Sequence, residues 1–424
     1  MRRLVLVAAL ALLLPAAASA APAFIVSGRG WGHGVGMSQY GAQGFAAHGW
    51  RYGRILAHYY PGTRLERVSP REVRVLLAAG VRKAVLSSRA PYRVVDARGR
   101  SRAVRGRLVL GTRLRGLRGP VRAVPGAQPL ALNGRAYRGA LVVRSRGGRM
   151  SVVNAVTLER YLRGVVPYEM PQEWHPQALR AQAVVARSYT LATLRPGKLF
   201  DLYDDQRSQV YGGVRAESDA TNLAVGATAN QVLTYAGAVA TTYYHSTSGG
   251  RTANVADVWS SPVPYLRSVS DPYDSISPYH RWGPQRLDLK PLHVRGVRDL
   301  SLVRSGSGRV EEVVLRTAHG SRVVEANELR RELGLRSTWF SVGVIRLDAP
   351  PLVRRGPVVL RGVARGVAGA VIQRRDAGGW RQVARIRARR DGTFAVRVRA
   401  TATARYRIAA ERTPAPAALV RVVS

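Results

Sequence analysis

Between residues 70 and 155 apolar and polar residues alternate in short runs: VRVLLAAG, KAVLSS, YRVVDARG, GRLVLG, GALVVRS and MSVVNAV. A period of two places the apolar side chains on one face of a strand. Turn residues such as Asp96-Ala97-Arg98-Gly99 and Gly147-Gly148 separate the runs, so the stretch predicts a β-rich module. The texture changes at Leu158. ERYLRGVVP closes at Pro167, and Gln172 to Leu194 is rich in helix formers, with Ala178, Ala181, Val185 and Tyr189 at helical spacing and Pro196-Gly197 to stop it. This is the most strongly marked helix of the chain. A polar loop (DLYDDQRSQVYGGV), a second helix around Glu217 to Val225 and strand-like VLTYAG and VATTYYHS follow. Residues 246 to 283 are loop-rich and aromatic, and a β/α stretch with the helix pattern ANELRRELG runs to about Val344. From Pro350 short alternating strands and the turn Asp391-Gly392 predict a small immunoglobulin-like β-sandwich over 350–424. The fold class is α+β, a mixed β-rich and helical body followed by that sandwich.

The N-terminal end reads differently. Arg2 and Arg3, the apolar run LVLVAALALLLPAA and Ala18-Ser19-Ala20 have the form of a cleaved secretory signal over residues 1–20. The apolar run is short for a membrane span. Next, Phe24-Ile25-Val26 leads into GRGWGHGVGMSQYGAQG, residues 28 to 44, where the glycines are too dense for a strand or helix interior and indicate backbone passing close to something. The expected location is secreted, at the cell wall.

Composition narrows the partners. With 424 residues the chain can hold two or three cores. It has no cysteine, which removes disulfides, thiol nucleophiles and thiolate metal sites. The formal net charge is +42, and Lys83, Lys198 and Lys290 are the only lysines, so arginine carries it. That composition also fits a GC-rich codon bias. Physically, a cationic exported chain is drawn to polyanions, here anionic wall polymers. No nucleic-acid-binding motif accompanies the charge, and nucleic acid is not an expected partner.

Three stretches carry chemistry. The glycine stretch has no GK[ST] and no register matching GxGxxG, so it does not cradle a nucleotide. It is either scaffold, with Trp31 and Tyr40 packed, or the lining of a polar or sugar site through His33, Ser38, Gln39 and Tyr40. In VVPYEMP, Glu169 stands between Pro167 and Pro171, which fix the backbone on both sides. The dipole of the long helix that follows would favour the carboxylate. An apolar pocket built from Val165, Val166, Tyr168, Met170 and Trp174 would instead raise its pKa and suit a general acid. In YYHSTSGGRT, His245, Ser246 and Ser248 suit polar ligand contacts better than a nucleophile and base, because adjacent strand residues face opposite sides and no GxSxG is present. The eight histidines include no HExxH.

Together these motifs resemble the stage II sporulation protein D / LytB family of peptidoglycan-acting proteins. The matching text includes LNGRAYRGALVV, VVNAVTLERYLRGVVPYEMPQEW, ALRAQAVVARSYTL, QVYGG, YYHSTSGGRTANVADVW, PYLRSVSDP, GRGWGHGVGMSQYGAQG and ILAHYYPGT, over roughly residues 24 to 345. In the family the GHGVGMSQYGA segment ends the domain. Here it comes first, which looks like a circular permutation with its old junction near Val344 and requires the N-terminal segment to fold back onto the body. The layout this implies is a family-like domain over 21–347, comprising the displaced segment 21–66, the β-rich part 70–155 and the catalytic part 156–347, with 350–424 as accessory sandwich.

The resemblance implies a lytic transglycosylase that cuts glycan strands between MurNAc and GlcNAc, with Glu169 as the single general acid and base. By residue type His33, Gln39, Tyr40, Arg187, His245, Ser246 and Ser248 are the candidates for shaping its substrate groove. The LytB side implies an alternative, a non-catalytic wall-binding protein or enhancer of a wall amidase. Some relatives carry His and Cys with zinc in the loop before QVY. Here that loop reads DDQRSQVY, so neither a metal nor any other cofactor is expected.

Overall fold

The computed structural model describes residues 18–194, 199–259, 261–411 and 413–424. The leader through residue 17 and the Pro196-Gly197 stop lie outside them. The chain forms two compact units, Gly30–His280, and Arg281–Ser424 with the N-terminal residues up to Arg29.

In the Gly30–His280 unit the alternating runs form a nine-stranded, largely antiparallel sheet. Its order is Arg135–Tyr137, Leu130–Leu132, Lys83–Val95, Val121–Val124, Ala140–Arg146, Arg149–Thr157, Glu72–Val81 and Leu202–Tyr203, with Ser101–Gly111 also paired to Lys83–Val95. Val73, Val75, Leu86, Val94, Val143 and Val152 point from this sheet into one core with Leu158, Tyr161 and Leu162 of the helix Leu158–Arg163. The marked helix is Pro176–Thr193; Pro176 opens its first turn, and His175 caps it by accepting from the Gln177 amide at 3.1 Å. It is buried on two faces. Ala183 and Ala186 join the sheet core, whereas Ala178, Leu179, Ala181, Val184 and Val185 join a second core. Small residues on both faces allow close packing of a helix with no solvent-facing stripe along most of its length.

The second core holds the N-terminal segment. Met37–Ser38 pairs in parallel with Tyr244–His245, Met37 opposite Tyr244 and Ser38 opposite His245. Two further helices follow, Gln39–Ala47 and Tyr52–Tyr59, and their Phe45, Ile55, Leu56 and Tyr59 pack with Leu179 and Val185. The expectation that glycine density excludes helix is therefore corrected over Gln39–Ala47. Ser38 caps this helix by accepting from the Gly41 amide at 3.1 Å. Gly41 and Gly44 serve close approach: a Cβ on Gly41 would lie 2.1 Å from the Tyr59 hydroxyl, and one on Gly44 2.4 Å from the Tyr273 carbonyl.

Earlier in the stretch, Gly36 has φ +72°, and a Cβ there would lie 2.0 Å from the Tyr243 carbonyl oxygen. Both conformation and contact demand glycine, so Gly36→Ala is expected to cost at least about 2 kcal/mol in urea unfolding. Equal unfolding midpoints would contradict the close approach.

The other unit has two cores that share strands. One sheet runs Trp282–Leu287, Ala23–Gly28, Phe340–Ala349, Gly356–Arg365 and Thr393–Ala400, with Ala18–Ser19 paired to Phe340–Ala349. Its sandwich partner runs Leu352–Arg354, Ala418–Val423, Ala404–Ala410, Val371–Asp376 and Gly379–Arg385. The run Phe24-Ile25-Val26 is apolar on both faces for a reason: Ala23 and Ile25 enter the sandwich core, and Phe24 and Val26 enter a core under a three-stranded meander and the helix Ala326–Glu332. Phe340–Ala349 does the same, with Ile345 and Leu347 on the sandwich side and Phe340 and Val344 on the other. The sandwich thus draws strands from both sides of the boundary expected near residue 350.

Candidate active site

Glu169 ends a four-residue helix, Val166–Glu169, with Pro167 in its first turn. Met170 is extended, as a residue before proline prefers, and this stops the helix. The long helix begins only at Pro176, so the dipole argument does not apply. Val165, Val166 and Met170 are buried around the glutamate, Tyr168 is exposed, and Trp174 is half-buried against Tyr40 at 4.8 Å between rings. Burial dominates: it raises the Glu169 pKa above the ordinary carboxylate value, opposed by hydrogen bonds from Tyr244 and Gln39. Gln39 Nε2 donates to Glu169 Oε2 at 3.3 Å.

Glu169 opens into a cavity of about 410 Å³ lined also by His33, Tyr168, Tyr189, Gln206, Ser208, Gln209, Val210, Tyr243, Tyr244 and Trp259. It is the only carboxylate among these lining residues. Cavities of about 900 Å³ beside His293 and about 420 Å³ beside Arg144 lie elsewhere. Arg286, Asp288, Lys290, His293 and Arg295, which line the first, are all exposed. A half-buried acid with a raised pKa marks the cavity beside Glu169 as the candidate site.

The parallel pairing of Met37–Ser38 with Tyr244–His245 assembles it. His33 Nδ1 accepts from the Val35 amide at 3.0 Å, and its ring lies 5.1 Å from Trp259 and 5.5 Å from His245. Trp259 in turn packs 4.5 Å from Tyr243 and stays 43% exposed, while Tyr168 is 56% exposed. Both are sugar-sized apolar surfaces bordering the acid.

Of the residues the sequence put on the groove, His33 and Gln39 reach the cavity or its acid. Tyr40 stands against Trp174 outside the lining. His245 is buried and its Nδ1 donates to the Val35 carbonyl at 3.2 Å, which orients the glycine stretch. The hydroxyls of Ser246 and Thr247 meet at 3.2 Å. Ser248 is fully buried; its hydroxyl accepts from Gly250 and its amide donates to Asp274, so it shapes a turn. Arg187 is corrected most clearly. Its guanidinium is fully buried, forms two hydrogen bonds to Glu159 at 2.8 Å each, and donates to the carbonyls of Ala183, Val225 and Gln231. A helical arginine between Ala186 and Ser188 gives no local sign that its partner is Glu159.

Tyr244, Gln209 and Trp259 escaped the residue-level reading. All three stand inside stretches the sequence singled out, YYHSTSGG, QVYGG and VADVW. Their neighbourhood depends on long-range pairing that no local pattern reveals.

Residues 146–235, which include Glu169, Gln209 and the whole of the long helix, match the family model described as Stage II sporulation protein. Stage II sporulation protein D of Bacillus amyloliquefaciens is 34% identical over 217 residues, covering 44% of this chain and 60% of that protein. Its counterpart in Bacillus subtilis strain 168 is 31% identical over 217 residues, 46% of this chain and 62% of that protein. The Amidase enhancer of Bacillus subtilis strain 168 is 42% identical over 135 residues, 31% of this chain and 18% of that protein. Over these segments the chain is similar to the stage II sporulation protein D family. Its matches span less than two thirds of these relatives' lengths.

Proposed function

We propose that this protein is a peptidoglycan lytic transglycosylase acting at the cell wall, with Glu169 as its one acid and base. The observation that carries the reading is a single half-buried carboxyl of raised pKa on a cavity bordered by exposed aromatic rings. Glu169 protonates the glycosidic oxygen between MurNAc and GlcNAc as the bond to the anomeric carbon breaks. The MurNAc C6 hydroxyl then attacks that carbon, and the Glu169 carboxylate takes its proton. An anhydro-sugar forms and the acid is restored, without the second carboxylate an ordinary glycosidase uses. Glu159 is engaged by Arg187, Glu173 is exposed, and Asp204 is not in the cavity lining, which supports the one-carboxylate reading over a muramidase.

The displaced motif order reads as a circular permutation. In support, Phe24 lies directly opposite Val344 in the sheet, so the junction the rearrangement needs joins neighbouring points. The cationic charge suits retention on anionic wall polymers.

Purified protein incubated with glycan strands, with and without stem peptides, tests the reaction by mass spectrometry. Anhydro-muramyl ends support it, and plain reducing ends indicate hydrolysis. No cleavage of either substrate favours the role suggested by the relative named Amidase enhancer, a partner of a wall amidase. Trp259→Ala is expected to raise KM about tenfold with kcat little changed, since an aromatic platform binds sugar in ground and transition states alike. A fall in kcat at constant KM would remove Trp259 from that role.

A further inference from the structure

Behind Glu169 runs a chain of polar side chains that its chemistry does not itself require. Tyr244 lines the same cavity as Glu169, and its phenol is near enough to the carboxyl to lower the Glu169 pKa as a hydrogen-bond donor. Gln209 Nε2 donates to the Tyr244 hydroxyl oxygen at 2.9 Å, and the Thr190 hydroxyl donates to Gln209 Oε1 at 2.7 Å. Thr190 and Gln209 are buried, at 0% and 3% exposure, so water does not substitute freely for these partners. The directions are linked. A phenol has one proton, and an oxygen already receiving the Gln209 NH2 keeps that proton for a different acceptor, which the Glu169 carboxyl supplies.

The Thr190 proton is contested. The Ala186 carbonyl, which can only accept, also lies 2.7 Å from the Thr190 hydroxyl. Were the proton given to Ala186, the Gln209 amide would turn over. Its NH2 would donate to the Thr190 oxygen, its oxygen would accept from Tyr244, and Glu169 would lose its phenolic donor. The two arrangements contain the same atoms and nearly the same shape; only the first serves the carboxylate.

We propose that Tyr244 is a positioning residue for Glu169, and that Gln209, oriented by Thr190, holds the Tyr244 proton on the Glu169 carboxyl. A donor fixed on one lone pair leaves the acid proton of Glu169 to a lone pair not already occupied by protein, including those open to the cavity. The same donor stabilises the carboxylate that must later take the sugar's proton. Tyr244 can hold this place throughout, because burial and the Glu169 charge keep the phenol protonated far above neutral pH. The other ionisable groups facing Glu169 are His33 from the glycine stretch, Tyr161 and Tyr168 from the two short helices, Tyr189 from the long helix and Tyr243 beside Tyr244.

This inference deepens the acid–base role given to Glu169, yet its test needs no substrate. Protein labelled with 13C at glutamate side-chain carboxyls is titrated by NMR, and the Glu169 signal is assigned by its loss in Glu169→Gln. Tyr244→Phe removes the donor; Thr190→Val keeps the shape and removes the proton that orients Gln209. Each variant is expected to lower the Glu169 acid dissociation constant about tenfold, moving its titration to higher pH. Both titrating with the wild type would overturn the proposal, and a shift in Tyr244→Phe alone would overturn the part given to Gln209 and Thr190. Should Tyr244→Phe not fold, the near-isosteric Thr190→Val decides. If these shifts appear while wild-type protein cuts no glycan, the transglycosylase reading fails and the positioning chain stands.

Discussion

Glu169→Gln is expected to abolish the release of anhydro-muramyl ends, lowering turnover at least about a thousandfold. General acid and general base assistance each contribute on the order of 10²–10⁴, and the proposed mechanism draws both from one side chain. The amide can still accept from Tyr244, so the fold and the cavity should survive. Glycan binding measured by pelleting or calorimetry is therefore expected to change little while cleavage disappears. The pH dependence follows from the direction of the Glu169 shift. Burial raises its pKa, so the protonated acid persists to higher pH than an ordinary glutamic acid would allow. The alkaline limb of kcat/KM should accordingly fall above the usual carboxylate range. Undiminished cleavage by Glu169→Gln would remove Glu169 from the reaction.

The second large effect concerns stability rather than activity. Asp271 and Asp274 are both fully buried, in the short turn that anchors the glycine stretch. Asp274 is well supplied: it accepts from the Ser38 hydroxyl, the amides of Ser248 and Gly249, and His280 Nδ1. Asp271 accepts from the Tyr59 hydroxyl at 2.8 Å, but burial and the neighbouring Asp274 charge push its pKa up from 3.8 to about 7. The folded state thus holds a proton that the unfolded chain releases near pH 4. The stability it contributes is complete below the unfolded value and is lost as pH rises to about 7. Asp271→Asn mimics the neutral form and keeps an acceptor for Tyr59. It is expected to be close to neutral at pH 4 and to gain up to about 4 kcal/mol over wild type at pH 8.5. Urea unfolding of both proteins at the two pH values checks this. A difference independent of pH would contradict it.

Much of the secondary structure was legible because it rests on local patterns. Period-two alternation marked the strands of the large sheet, and alanine-rich helical spacing marked Pro176–Thr193. Phe24-Ile25-Val26 showed in the sequence only as a short apolar run, and the fold made it a strand buried on both faces. The glycine stretch misled in one respect. Gly41 and Gly44 look like helix breakers, but they sit inside Gln39–Ala47 because Tyr59, Asp271 and Tyr273 leave no room for a Cβ. Propensity yields there to packing.

At the site, two prolines around a glutamate and the family-like motifs pointed to Glu169 as the proposed acid, and the structure sets it on a cavity. Arg187, Ser246 and Ser248 were drawn to the groove by residue type alone. Tertiary structure sent Arg187 to Glu159 and left both serine hydroxyls outside the cavity lining.

By itself, then, the sequence determined the elements, the apolar faces, the cationic charge and the residue able to exchange a proton. Only the tertiary structure decided that Gln39 and Tyr244 would hold that residue, that Gln209 would orient Tyr244, and that burial rather than a helix dipole would set its acidity. The physical reason is range. Periodicity and capping act over a few residues, whereas the parallel pairing of Met37–Ser38 with Tyr244–His245 joins distant segments whose contacts appear only when the second core closes.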